Sequence, residues 1–213
     1  MVAVLAFRKA LMAVPEEPDS PTQATKAPSG FQLPNKALWV LVAISLCTNL
    51  TEGTMADWSA VYLREVVRTP EAMAGWGFAA YAFFMAGGRF LGDALIGRFG
   101  NQKVLRTGGL VAAAGLLLAV FFQGTAFVLF GFAMVGAGVS LGAPILYASA
   151  AKVPGMAKGV GLATMNTFAM IGFLAGPAFI GFLAKGFGLP VAFLVVAGFA
   201  LFWSWRSGHV IEG

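Results

Sequence analysis

Between Asn35 and Trp205 the chain holds six consecutive apolar segments, at about residues 37–63, 71–96, 104–122, 126–151, 159–184 and 190–205. Each approaches the roughly 20 apolar residues a helix needs to cross the hydrocarbon core. In lipid no water satisfies backbone N–H and C=O groups, so a segment of this kind must satisfy them internally, as a helix. The rest of the composition agrees. Charged residues make up 11% of the chain and hydrophobic ones 59%, with a mean hydropathy of +0.82; a soluble domain is roughly 25% charged. No water-soluble fold hides this much apolar surface in 213 residues. The expected fold is an all-α integral membrane bundle of six transmembrane helices.

The same inventory excludes several function classes. The formal charge of +5 is not a nucleic-acid footprint, because the Lys and Arg residues fall in loops, where they orient a membrane protein. Cys47 is the single cysteine and lies inside the first segment, while His209, the single histidine, lies in the C-terminal tail. Neither a metal site nor a Ser-His or Cys-His catalytic pair can be assembled from these at membrane depth. No catalytic residue, metal or cofactor is expected, and the bilayer is the first partner. Cys47 reads as a small core residue.

Ten of the fourteen Lys and Arg residues fall on one side of the six segments, at the N-terminal region, the loops near residues 98–106 and 152–158, and Arg206. Three, Arg64, Arg68 and Lys185, fall on the other, and Arg89 lies within the second segment. By the positive-inside rule both termini are cytoplasmic. The five tryptophans lie near segment ends, where an aromatic belt is expected. Residues 15–34 read as a Pro/Ser/Thr/Ala linker. Residues 1–14 are apolar around Arg8 and Lys9, the wrong order for a signal peptide. They read either as a short amphipathic helix on the membrane or as the end of a helix whose beginning precedes this chain.

The most specific stretch is Gly88-Arg89-Phe90-Leu91-Gly92-Asp93-Ala94-Leu95-Ile96-Gly97-Arg98-Phe99-Gly100. Gly88 and Gly92 permit close helix approach, Gly100 suits a turn with positive φ, and Asp93 can pair with Arg89 or Arg98 or accept from a helix N-terminus. This stretch resembles the loop signature of the major facilitator superfamily, although Ala94 stands where a basic residue usually follows the aspartate. In that family the cluster of Gly88, Arg89, Gly92, Asp93, Arg98 and Gly100 would act as a conformational latch on the cytoplasmic side. The fifth segment holds Gly172, Gly176, Pro177 and Gly181, similar to a glycine-proline helix of the same family and suited to packing and bending. Gly88 and Gly92, like Gly172 and Gly176, sit in the second segment of each half, which suggests a three-plus-three repeat. Thr51-Glu52-Gly53, followed by Asp57-Trp58-Ser59, looks like the seventh helix of the fucose-permease-like branch. The resemblance covers the chain from about Asn35 onward and implies the C-terminal six-helix half of a twelve-helix transporter. Residues 1–14 would then be a remnant of the sixth helix.

Ionisable groups inside a span are expensive and are functional candidates by default. Glu52 lies about 22 Å along its helix from Ala37 at 1.5 Å per residue, after the polar run Thr48, Asn49 and Thr51, which could line a cavity with it. Asp57 lies nearer the outer interface. Pro144 marks a kink in the fourth segment beside Ser140 and Tyr147, and Asn166 and Thr167 lie in the fifth. In the family the first and fourth helices of each half face the cavity. The resemblance therefore assigns Asn49, Glu52 and Tyr147 first to a substrate or proton path, with Asp57 and Asn166 as further candidates and Tyr81 as a weaker one. The function this implies is movement of a small polar solute, sugar-like or drug-like, by alternating access, with a coupling proton as a further candidate. Six helices supply one wall of such a path, so a second six-helix half is an expected partner, as a separate chain or a second copy. A truncated or split-gene product fits the same pattern. The alternative is a membrane scaffold or regulatory subunit that does not transport.

Overall fold

The computed structural model describes residues 35–156 and 158–210, all of them helical or in short connections. The linker and helix remnant expected at residues 1–34 lie outside the described residues. Eight α-helices follow in chain order: α1 Lys36–Glu65, α2 Trp76–Phe90, α3 Gly92–Phe99, α4 Asn101–Phe121, α5 Thr125–Val139, α6 Gly142–Ala150, α7 Lys158–Phe187 and α8 Leu189–Arg206. Local chemistry sets several of the ends. Asn35 caps α1, its Oδ1 accepting from the Leu38 N–H at 2.9 Å, which satisfies one of the donors a helix start leaves open. Gly100 (φ 79°, ψ 160°) turns the chain from α3 into α4, in a region of backbone space open essentially to glycine alone. Pro190 sits in the first turn of α8, where its missing N–H has no helical partner to lose.

Among the described residues five stretches are long and apolar enough to cross a membrane: α1, α4, α5 with α6, α7 from Gly159, and α8. The segment expected as one helix at 71–96 is instead divided into a 3-10 turn, Glu71–Met73, and the two helices α2 and α3. The division falls at Leu91 (φ −86°, ψ −1°), next to Gly87, Gly88 and Gly92, each of which weakens a helix by about 1 kcal/mol relative to alanine. The fourth segment is divided as well, at Ser140 and Leu141.

The packing carries an internal two-fold pattern. Segment two (α2) lies along segment four (α5), and segment five (α7) lies along segment one (α1). Segment three (α4) packs on segment four, and segment six (α8) on segment one, while α4 and α8 pack on each other. Exchanging segments one to three with four to six maps this set of contacts onto itself, the signature of a three-plus-three repeat. The two glycine pairs occupy equivalent places in it. A Cβ at Gly88 or Gly92 would run into Ser140 or Leu141 of segment four, and one at Gly172 or Gly176 would touch Leu46 or Leu50 of segment one. Gly181 packs on Trp58 farther along the same α1–α7 seam.

Lipid offers no hydrophobic drive for helix association, so close packing of small residues must supply it. The tightest seam, α4 against α5, is built that way. Gly108 faces Gly138 and Gly115 faces Gly131, and a Cβ on any of the four would meet the partner's carbonyl oxygen. Around this seam Tyr62, Phe132 and Phe193 stack at centroid distances of 4.5–5.9 Å, and the Tyr62 hydroxyl donates to the Ala119 carbonyl at 3.1 Å. Trp203 departs from the aromatic-belt expectation. Trp39, Trp76 and Trp205 are exposed, but Trp203 is fully buried, seated over Gly109 of α4.

Candidate functional site

Four residues of segments two and four build the most unusual local arrangement. Pro144 lacks the N–H that would bond the Ser140 carbonyl four residues earlier, and the fourth segment breaks at that place. The freed Ser140 carbonyl accepts from Arg89 Nε at 3.4 Å. Gly88 makes this approach possible, because any side chain there would occupy the position of Ser140 Oγ. The broken helix of segment four is thus held by the arginine of segment two.

Arg89 also acts on Glu52, from beyond ion-pair distance. Its guanidinium acts electrostatically on the half-buried Glu52 carboxyl of α1, and both charges act on the buried Tyr81 of α2. Tyr81, Met85 and Arg89 recur at four-residue spacing, so they form one stripe of α2. With Phe78 and Phe90 they line a groove of about 430 Å³. The groove therefore joins an aromatic wall to a cation with a carboxyl group nearby.

The other candidate residues fall elsewhere. Tyr147 donates to Asn166 Oδ1 at 3.1 Å, tying α6 to α7. Asn49 spends its amide on its own helix, donating to the Ser45 carbonyl at 2.8 Å and to Ser45 Oγ at 3.1 Å. Thr48 and Thr51 do not line a cavity with Glu52 as expected. They are buried in the bundle and their hydroxyls donate back to the carbonyls of Ser45 and Cys47. Asp57 is exposed, five residues beyond Glu52 and so on a different side of α1. Pro177 lies inside α7 and takes the N–H from the Phe173 carbonyl, which faces Gly53, next to Glu52. Cys47 is a buried free thiol, and no metal-binding group of His, Cys, Asp and Glu occurs among the described residues.

The ion pairs expected of the latch residues are not formed. Among the described residues Asp93 has no cationic partner within 4 Å; the ion pair there is Arg64–Glu65, at 3.0 Å. Arg89 turns to Ser140 instead, and Arg98 lies over the Phe99 ring, 5.4 Å from its centre. Asp93 sits in the first turn of the short helix α3, where a carboxylate favours the positive helix end. The sequence carried a signal for this arrangement. Pro144 four residues after Ser140 announces a free carbonyl, and the Tyr81–Met85–Arg89 spacing marks one face.

The sequence pattern of the Major Facilitator Superfamily matches residues 41–208. The chain belongs to that superfamily. It is 38% identical over 161 residues to an uncharacterized MFS-type transporter of Yersinia pestis, covering 75% of this chain and 42% of that protein. It is 35% identical to an uncharacterized transporter of Sinorhizobium fredii, over 80% of this chain and 45% of the relative. The membrane protein MosC of Rhizobium meliloti is 33% identical, over 78% and 40%. The chain thus spans less than half the length of the curated relatives it matches. The fold matches the POT family transporter PepTSo with a TM-score of 0.71 at 15% identity, over 85% of this chain and 39% of that one. It also matches a peptide transporter POT in complex with sulfate, with a TM-score of 0.73 at 19% identity. For this member of the superfamily, the Pro144–Ser140–Arg89 arrangement makes a direct prediction. Pro144→Ala returns the N–H to Ser140 and straightens the fourth segment. Spin labels at residues 127 and 148 are expected to move apart toward the roughly 32 Å of a continuous helix. An unchanged distance would assign the break to packing and not to the proline.

Proposed function

We propose that this chain forms one wall of a secondary transporter that moves a small polar solute across a bacterial inner membrane by alternating access. The observation that carries the reading is Glu52, a half-buried carboxyl in the middle of the membrane-length helix α1, with Arg89 and Tyr81 within electrostatic reach. Ionisable side chains there are costly to keep and mark solute or proton pathways. Glu52 is a carboxyl that can bond a hydroxylated or amine-bearing solute, or carry a coupling proton, under the electrostatic influence of Arg89. Tyr147 and Asn166 supply a second polar station on α6 and α7, and Asn49 and Asp57 are further candidates along α1. The family membership supports the same class of function.

The opposite wall is a second six-helix bundle, which carriers of this kind rock against the first around a midplane site. The latch residues Gly88, Arg89, Gly92, Asp93, Arg98 and Gly100 join segments two, three and four on the cytoplasmic side. Their role is to favour one of the two access states. The test is uptake of radiolabelled sugars, amines and amphiphilic drugs into proteoliposomes, with the chain alone and with a co-expressed six-helix half. Saturable uptake is expected only with both halves. Uptake by a demonstrated monomer of this chain would overturn the requirement for a second wall.

Orientation has its own test. With both termini cytoplasmic, a cysteine introduced as Asn101→Cys is expected to resist an impermeant thiol reagent in intact cells and to react after the cells are opened. Labelling from outside would reverse the topology.

A further inference from the structure

We propose that the groove between α1, α7 and α8 binds one anionic phospholipid, with an acyl chain along the groove and the phosphate at Lys36 and Arg206. This site is separate from the Glu52–Arg89 cluster and does not depend on it. The groove has a volume of about 730 Å³, within the roughly 300–1,000 Å³ of small-molecule sites. Its lining includes Leu46, Leu50, Ala175, Gly198 and Phe199, and no charged side chain. At one end it runs on, through the shared residues Ala43 and Phe202, into a second cavity of about 380 Å³ lined by Lys36, Trp39, Trp205 and Arg206. One continuous depression is therefore apolar along its length and basic at its mouth.

Its dimensions suit one leaflet. Lys36 to Leu50 spans about 21 Å of helix at 1.5 Å per residue. Half of a bilayer with its headgroups is about 20–22 Å. Trp39 and Trp205 are 46% and 74% exposed, as indoles at a headgroup layer should be. Arg206 rests over the Trp205 ring at 5.6 Å, which holds its charge at the mouth, and the positive end of α1 lies at Lys36. Small residues form the floor. At Gly198 nothing lies within 4 Å of the place a Cβ would take, so the groove is open there in mid-helix. An occupant must be apolar for the depth of one leaflet and anionic at its surface end. A zwitterionic lipid lacks the net charge, and a helix of a partner protein, about 10–12 Å across with its side chains, does not present a narrow chain ending in an anion.

The test uses the full chain purified in detergent, delipidated and titrated with dioleoyl phosphatidylglycerol or dioleoyl phosphatidylcholine. Bound lipid is read by native mass spectrometry and by the shift in melting temperature. Retention of phosphatidylglycerol over phosphatidylcholine is expected. Each surface cation near an anionic lipid contributes about fivefold in affinity, so Lys36→Gln with Arg206→Gln should weaken phosphatidylglycerol binding about 30-fold and remove the preference. Gly198→Leu fills the groove without a clash and should abolish retention of both lipids while the lipid-free melting temperature holds or rises. Equal retention of the two lipids by the wild type would overturn the proposal. So would phosphatidylglycerol retention by the Gly198→Leu chain, or an equal melting shift from inorganic phosphate alone, which would mark an anion site with no use for the groove.

Discussion

Gly138→Leu is expected to abolish the folded bundle, whereas Gly186→Leu leaves it intact. At Gly138 the first added carbon meets the carbonyl oxygen of Gly108, and the Ala112 backbone stands close behind it. A backbone cannot rotate aside as a side chain can, so α4 and α5 must separate along the seam that joins them. Overpacking that side chains can absorb costs about 1–3 kcal/mol; this substitution should reach or exceed the upper figure. The segment cannot move the other way either, because Gly136 on the far side of α5 lies against the Tyr81 carbonyl of α2. Gly186, by contrast, has nothing within 4 Å of its would-be Cβ. The measurement is the monodisperse fraction in size-exclusion chromatography with the thermal midpoint in detergent. Equal behaviour of the two variants would show that the α4–α5 glycines do not hold the bundle together.

Glu52→Gln is expected to lower uptake by the assembled carrier at least about tenfold, the equivalent of about 1.4 kcal/mol on the rate-limiting barrier. Membrane insertion should be unchanged or improved, because a charged residue at a helix centre opposes insertion by roughly 2.5–3.5 kcal/mol. The amide keeps the shape of the carboxyl but can neither carry a proton nor balance Arg89. The informative comparison is the cycle with Arg89→Gln. If the two groups act on each other, the double variant should be less impaired than the product of the singles, with a coupling of about 0.5–3 kcal/mol as found for residues in one network. Strict additivity would separate Arg89 from the path and leave it only as the prop of Ser140. Loss of protein level in step with activity would make Glu52 a structural group.

The two results rest on different kinds of information. The membrane environment, the apolar segments and the superfamily could be read from the chain directly, because hydropathy along a chain is one-dimensional and the glycine-rich signature is local. Gly172 and Gly176 could be recognised as a packing pair because a spacing of four residues puts them on one face of a helix. Pro144 could be recognised as a break because it removes one identifiable hydrogen bond, whereas Pro177 lies within an unbroken helix.

What each helix face meets was not legible. In lipid both the buried and the exposed sides of a helix are apolar, so the periodicity that reveals the inner face of a soluble helix is lost. Thr48 and Thr51 thus looked like cavity residues beside Glu52, whereas packing turned them into the bundle with their hydroxyls bonded to their own helix. Arg89 was one of three candidate partners of Asp93, with Arg98 and a helix N-terminus. The tertiary structure gave it instead the carbonyl that Pro144 frees, fifty-one residues away in sequence. The sequence by itself determined which solvent the chain folds in and roughly where its helices run. Only the packing decided which carbonyl, which carboxyl and which glycine stand opposite one another, because that depends on the rotation and register of each helix against its neighbours.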